Sequence, residues 1–202
     1  MTNQIYSIKT ITNKDDLTPD FPFQIKNFYW DSKVQPITTC HIAFLKDQGL
    51  YILMKTLENY VSPKYKQHQD PVYLDSAMEF FISIPGKGLN KSYFNIEVNS
   101  NGAVLAQFGP NRDHRFPLSL EDIDHLNVSV EQNSTSWTLA FILPFDLIKK
   151  YEPSLHLPFD SFAFNFYKIC ESNEYRHFGS FSPIESLTPN FHLPQFFALG
   201  LL

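Results

Sequence analysis

Residues Asp70–Gly102 read DPVYLDSAMEFFISIPGKGLNKSYFNIEVNSNG. Met78, Phe80, Ile82 and Ile84 alternate with Ala77, Glu79, Phe81 and Ser83. Further on, Phe94, Ile96 and Val98 alternate with Tyr93, Asn95, Glu97 and Asn99. A period of two in aromatic and β-branched residues marks strands, and Gly86-Lys87-Gly88 between them marks a turn. A hairpin centred near Gly88 sets Glu79 opposite Glu97 on one face and puts Phe80, Ile82, Ile96 and Val98 on the other. One face is apolar. The other carries two carboxylates and the carboxamides of Asn95 and Asn99. Like charges opposed on neighbouring strands repel. Such a pair is kept where an arginine, a metal, a shared proton or the hydroxyls of a ligand answer it. The polar face is therefore the predicted functional face, opening as a shallow groove.

The same alternation recurs on both sides of this hairpin. Cys40, Ile42 and Phe44 alternate, Asp47-Gln48-Gly49 turns the chain, and Leu50 to Leu57 returns. Leu126, Val128 and Val130 are answered by Trp137, Leu139, Phe141 and Leu143 across an Asn133-Ser134-Thr135 turn. Phe162, Phe164, Phe166 and Lys168 lie on one face of a long strand from about Phe159 to Cys170. Residues 58–71 and 109–120 read as loops broken by prolines. The one helix candidate is 144–151, with Pro144 in its first turn. Many short strands with almost no helix predict an all-β fold: an antiparallel β-sandwich, jelly-roll-like, with one short helix. No linker or repeat divides the chain, so residues 1–202 are expected to form a single domain.

Twenty Phe and ten Tyr suit a thick sandwich core. The formal net charge is −5 with scattered basic residues, which argues against nucleic acid as a partner. Cys40 and Cys170 each sit in an apolar alternating run and are expected to be buried free thiols. The first residues lack the apolar core of a signal peptide, and no run approaches the length of a membrane span. As given, the chain is expected to be cytoplasmic with no membrane partner; if a leader was removed, it is secreted or periplasmic.

Four stretches, taken in order, resemble the carbohydrate-binding family 9-like domains: AFLKDQGLYIL (43–53), PVYLDSAMEFFI (71–82), YFNIEVNSNG (93–102) and SFSPIESLTPNFHLPQFF (180–197). The resemblance spans most of residues 37–202. It implies a jelly-roll-like sandwich that binds a mono- or oligosaccharide and has no catalytic centre. It further implies a terminal sugar held between two aromatic rings, with structural calcium a possible cofactor. Tyr73 and Phe181 stand where that family commonly places tryptophan.

These considerations nominate Tyr73, Glu79, Asn95, Glu97, Asn99, Arg112 and Phe181 as carbohydrate-binding residues. A carboxylate accepts two hydroxyls, and an amide both donates and accepts, which suits a polyol. The competing interpretation of the carboxylates and amides is a plain solvated sheet face, although Asn is a poor strand former. Arg112, Arg115 or Arg176 could answer the carboxylates with a planar fork, Arg112 being the preferred partner. Trp137 alternates with Leu139 and Phe141 and reads as core, while Trp30, before Asp31, is given no place. Two other functional classes stay open. One is a glycoside hydrolase using Glu79 and Glu97, whose chemistry needs two carboxyls roughly 5–9.5 Å apart. The other is a degenerate module serving as an interaction protein. The seven histidines show no HxH or HExxH spacing, and no D-x-D-x-D-G loop is present. Metal ligands are therefore unassigned, and calcium rests on the resemblance.

Overall fold

The computed structural model describes residues 4–18, 22–58, 63–84, 92–172 and 174–202. Its strands, in chain order, begin with β1 (Ile5–Ser7), β2 (Thr10–Ile11), β3 (Phe23–Ile25), β4 (Asn27–Phe28), β5 (Ile37–Leu45) and β6 (Gly49–Leu57). The central pair is β7 (Ala77–Ser83) and β8 (Tyr93–Asn99), followed by β9 (Val104–Gly109) and β10 (Phe116–Pro117). The rest are β11 (Ser129–Gln132), β12 (Ser136–Pro144), β13 (Ser161–Cys170), β14 (His177–Ser180) and β15 (Ala198–Leu201). One sheet runs β1-β15-β13-β7-β8-β9-β10, with β14 on β13 and β4 on β14. The other runs β11-β12-β6-β5-β2, with β3 also on β5. The pairing is antiparallel except β1 with β15 and β2 with β5.

The two sheets close on one apolar interior. Phe80, Ile82, Ile96 and Val98 lie there as expected, against Ile42, Ile52, Leu139 and Phe141 of the second sheet. Trp137 is in the same cluster. Cys40 and Cys170 are fully buried free thiols, and burial pushes the Cys40 thiol well above its ordinary value. The expected helix is α2 (Phe145–Tyr151), introduced by Pro144. A second helix, α1 (Leu120–His125), lies in and beyond the stretch read as loop, so the single-helix expectation is corrected. Ser119 Oγ accepts from Asp122 N at 3.1 Å and caps it. Serine three residues before an acid is a helix-start signal that the sequence carried.

One charged cluster sits inside the sandwich. Lys168 follows Phe164 and Phe166 on the inward face and is fully buried. Its Nζ lies 3.2 Å from Glu58 Oε2. Glu58 Oε1 accepts from Ser76 Oγ at 2.7 Å and Trp137 Nε1 at 2.6 Å. Lys168 Nζ also donates to Ser76 Oγ and to His177 Nε2, the latter at 3.2 Å. His177 Nδ1 is satisfied by Tyr175 O at 2.6 Å, which fixes the neutral tautomer. Every charge in this cluster has a partner, as burial demands.

Candidate functional site

β7 and β8 pair in the predicted register, Glu79 opposite Glu97. The turn expected at Gly86-Lys87-Gly88 lies outside the described residues. The face that carries the carboxylates is not a solvated surface. Glu79 is 2% exposed, Glu97 3%, and Asn95 and Asn99 are fully buried. The expected open groove is thus corrected to a roofed cleft. The reason is a second apolar layer on that side of the sheet. Phe81, Tyr93, Tyr167 and Ile169 of the sheet meet Val72, Phe191 and Phe197 of connecting segments that fold back over it. Tyr167 and Phe191 stack at 4.2 Å between ring centroids.

Beside this layer lies a cleft of about 350 Å³, bordered by Trp30, Tyr73, Arg112, Arg115, Glu171 and Asn190, with Glu79 and Glu97 in its lining. That volume is on the scale of small-molecule sites. A larger and more apolar cleft of about 1120 Å³ opens at the β5–β6 turn and the start of α2. Its His125 Nε2–Asp146 Oδ2 pair, 3.8 Å apart, is exposed. Among the described residues it offers no buried polar group in search of a partner, so the smaller cleft is the candidate site.

Each wall has a local cause. Tyr73 sits in a short 3₁₀ turn, Val72–Leu74, after Pro71. Buried Val72 pins one side of that turn. Asp75 pins the other, accepting from Lys64 N, Tyr65 N and Asn99 Nδ2 at 3.0–3.1 Å. The Tyr73 carbonyl accepts from Glu171 N at 3.1 Å, which draws the Glu171 backbone to the same wall. Arg112 and Arg115 are carried by the β9–β10 loop, whose Asn111 Oδ1 accepts from Asp113 N and His114 N at 3.0 and 3.1 Å. Gly109 permits that loop: a Cβ there would come 2.7 Å from Arg115 Cα. His192 also lines the cleft, with its Nδ1 3.0 Å from Tyr93 OH. Burial and the two arginines push the His192 imidazole down to about 2, so it is neutral.

Trp30 is the residue that sequence reasoning missed. Trp30 and Asp31 have φ of 49° and 59°, and Ser32 N donates back to Tyr29 O at 3.2 Å. Two consecutive positive φ values within such a turn are ordinarily the province of Asn-Gly. A bulky aromatic in that conformation is an outlier that the surroundings must hold. Here Trp30 Nε1 donates to Ser186 O at 2.8 Å, and the ring packs on Tyr29, Phe178 and Phe191. Trp30 and Tyr73 both border the cleft.

The nominated residues divide into three groups. Tyr73, Glu79, Glu97 and Arg112 line the cleft. Asn95 and Asn99 stand behind it. Asn95 Nδ2 donates to Glu97 Oε1 at 3.0 Å, and its Oδ1 accepts from Arg115 Nη1 at 2.8 Å. Asn99 binds Tyr65 O and Asp75 and accepts from Asn101 N and Ala103 N, which holds loops together rather than facing a ligand. Phe181 is brought to neither group. It lies against the sandwich interior with Tyr6, Phe23 and Phe164, the Phe164 ring stacked at 5.9 Å, so its nomination as a carbohydrate-binding residue is corrected. Arg115, through Asn95, is also more closely engaged with Glu97 than Arg112, whose Nη1 donates to Pro189 O at 3.3 Å.

The electrostatics follow from burial. Desolvation pushes the Glu97 carboxyl up to about 7, against the pull of Arg115 and the Asn95 hydrogen bond. Desolvation, reinforced by Glu97 and Glu171, pushes Glu79 well above the ordinary carboxylate range. Glu97 Oε2 is buried without a hydrogen-bond partner. Asp75 and Asp122 spend both oxygens on backbone N–H groups, Asn99, Lys150 and Tyr151, and Asp70 Oδ2 accepts from Lys66 N and Gln67 N. Among the described residues no three acidic, histidine or cysteine side chains gather as a metal site.

The sequence profile of the carbohydrate-binding family 9 matches residues 20–201. A comparison with curated protein sequences gave no significant match. Among solved structures, a presumed carbohydrate-binding protein from Bacteroides uniformis is similar at a TM-score of 0.81 and 22% identity, over 99% of each chain. A family 9 carbohydrate-binding module from Caldicellulosiruptor kristjanssonii in complex with glucose is similar at a TM-score of 0.64 and 10% identity, over 98% of this chain and 95% of its own. A structure of such a module from the same organism in complex with cellotriose gives 0.61 and 10%, over 99% and 93%. At these identities the likeness is one of fold.

Proposed function

Because the chain belongs to carbohydrate-binding family 9, we propose that the cleft floored by Glu79 and Glu97 binds a mono- or oligosaccharide without acting on it. The observation that carries this reading is the cleft itself. Trp30 and Tyr73 border it, and the free oxygen Oε2 of Glu97 lies buried among its lining residues. An aromatic face covers the C–H side of a pyranose, while carboxylates and arginines take the hydroxyls around its edge. Trp30 and Tyr73 are the two rings of the site. The sugars held by the structural neighbours, glucose and cellotriose, name the compounds to try first.

Hydrolysis is the other reading of this opposed pair. It needs one carboxylate ionised as nucleophile or base while the other holds a proton. Burial raises both Glu79 and Glu97, which lowers the share of either that is ionised near neutral pH. A calorimetric screen with mono- and oligosaccharides tests the proposal. Binding without new products is the expected result. Product release in the same tubes overturns the non-catalytic reading, and no heat from any sugar at millimolar concentration overturns the binding reading.

A further inference from the structure

We propose that Glu79 and Glu97 share one proton and offer an uncharged sugar one hydroxyl donor and one acceptor, so that a sugar carboxylate is selected against. This rests on the carbohydrate-binding reading and deepens it. The two carboxyls are directly opposed across β7 and β8 and almost wholly buried. Two like charges so placed cannot both stay ionised unless a cation pairs with them. No lysine or arginine comes within 4.0 Å of either carboxylate in the ion pairs among the described residues. The nearby guanidiniums are engaged elsewhere, Arg115 on Asn95 Oδ1 and Arg112 O, Arg112 on Pro189 O.

The other groups facing the pair do not supply a counter-charge in contact with it. From the β13 side come Tyr167, which donates to Phe191 O, and Glu171, itself an acid. Lys168 of the same strand is paired with Glu58. From β8, Tyr93 stays protonated, its phenol pushed up to about 12, and from the C-terminal segment His192 is neutral. Asp113 of the β9–β10 loop adds a further acid to the cleft.

One proton held by the pair removes one of the two charges, and Oε2 of Glu97 is left as an acceptor with no partner in the protein. Glu79, protonated, then donates to a hydroxyl oxygen of the sugar; Glu97 Oε2 accepts from a neighbouring hydroxyl. A uronate would set a third carboxylate against the pair.

Calorimetry and infrared titration together test this. Affinity for the best neutral sugar should fall by about tenfold or more from near neutral pH to about pH 9, as the second carboxyl ionises. Glucuronate should bind more weakly than glucose at the lower pH. In Glu79→Gln the fall with pH should vanish, whatever the absolute affinity. The free protein should show a protonated-carboxyl infrared band near neutral pH that Glu79→Gln removes. A wild-type affinity that does not change with pH, a variant that keeps the wild-type fall, or a missing infrared band overturns the shared proton. If the band is present but no sugar binds at any pH, the shared proton stands as a property of the pair and the sugar reading fails.

Discussion

Raising the pH from about 6.5 to about 8.5 should weaken the fold, and lowering it below about 4.5 should weaken it as well, because the buried titratable groups are opposed in sign. Glu79 and Glu97 hold protons more tightly folded than unfolded. Their contribution is full below the ordinary value of 4.5 and is lost as the pH rises through their folded values. His177 and His192 behave in the reverse sense. Burial pushes them down to about 3 and about 2 from 6.5, so their contribution is full above 6.5 and is lost as the pH falls. Between 4.5 and 6.5 two carboxyls gain with falling pH what two imidazoles lose, and stability should be flat. Each group is worth about 1.4 kcal/mol per pH unit. For Glu97 alone, passing from 4.5 to about 7 amounts to roughly 3 kcal/mol. Above 6.5 the imidazoles no longer compensate, and Glu79, raised further than Glu97, continues the loss. Below 4.5 Glu58 and Asp122, both lowered, add to the acid side. Urea unfolding followed by tryptophan fluorescence at half-unit pH steps measures the curve, and Glu97→Gln should flatten its alkaline limb. Stability that climbs steadily from about pH 5.5 to about pH 8.5 would refute the reasoning, since it requires the carboxyls to be ionised at no cost.

Two other outcomes separate structural from functional residues. Lys168→Met should cost about 3–5 kcal/mol by stranding Glu58, and adding Glu58→Gln should recover part of it, as a double-mutant cycle in urea will read; a single-variant cost under about 1 kcal/mol contradicts the pairing. Phe181→Ala should cost about 3–5 kcal/mol of stability with little change in sugar affinity, whereas Trp30→Ala should weaken binding about tenfold, on the scale of roughly 60 Å² of lost apolar contact; the opposite pattern in calorimetry returns Phe181 to the site.

The sandwich was legible because period two leaves little freedom once one face is apolar. Phe80, Ile82, Ile96 and Val98 fix the register that sets Glu79 against Glu97, and both pairings stand in the structure. The environment of those carboxylates was not legible. It depends on residues 63–75 and 181–197 folding over the sheet, and no local pattern in Asp70–Gly102 records that cover. Phe181 shows the same limit. Ser180 ends β14, and the Phe181 ring packs on Tyr6 and Phe23, contacts made with the first residues of the chain. Arg115 and Arg112 share one loop, and only the Asn111 turn and the approach at Gly109 decide which reaches Asn95. Trp30 was the hardest to place, since left-handed backbone at a tryptophan has no signature in residue type.

The polar groups inside this protein fall into two kinds, and the difference between them locates function better than burial does. Lys168 and Glu58 are charges within the sandwich, yet each is matched by Ser76, Trp137, His177 or the other. Such a cluster holds its two sheets in one arrangement and asks nothing of a ligand. Around the small cleft the opposite holds. Glu79 and Glu97 repel, Glu97 Oε2 has no partner, and Trp30 is held in a conformation that costs on the order of 1–3 kcal/mol. Any one of these could be an accident of packing. All three border the same 350 Å³, and the packing that holds them there, Trp30 on Ser186 and Tyr167 on Phe191, is not required to close the sandwich. Local costs concentrated at one cleft, beside a charged cluster that is fully satisfied, are the pattern expected of a preorganised binding site and support the site proposed above.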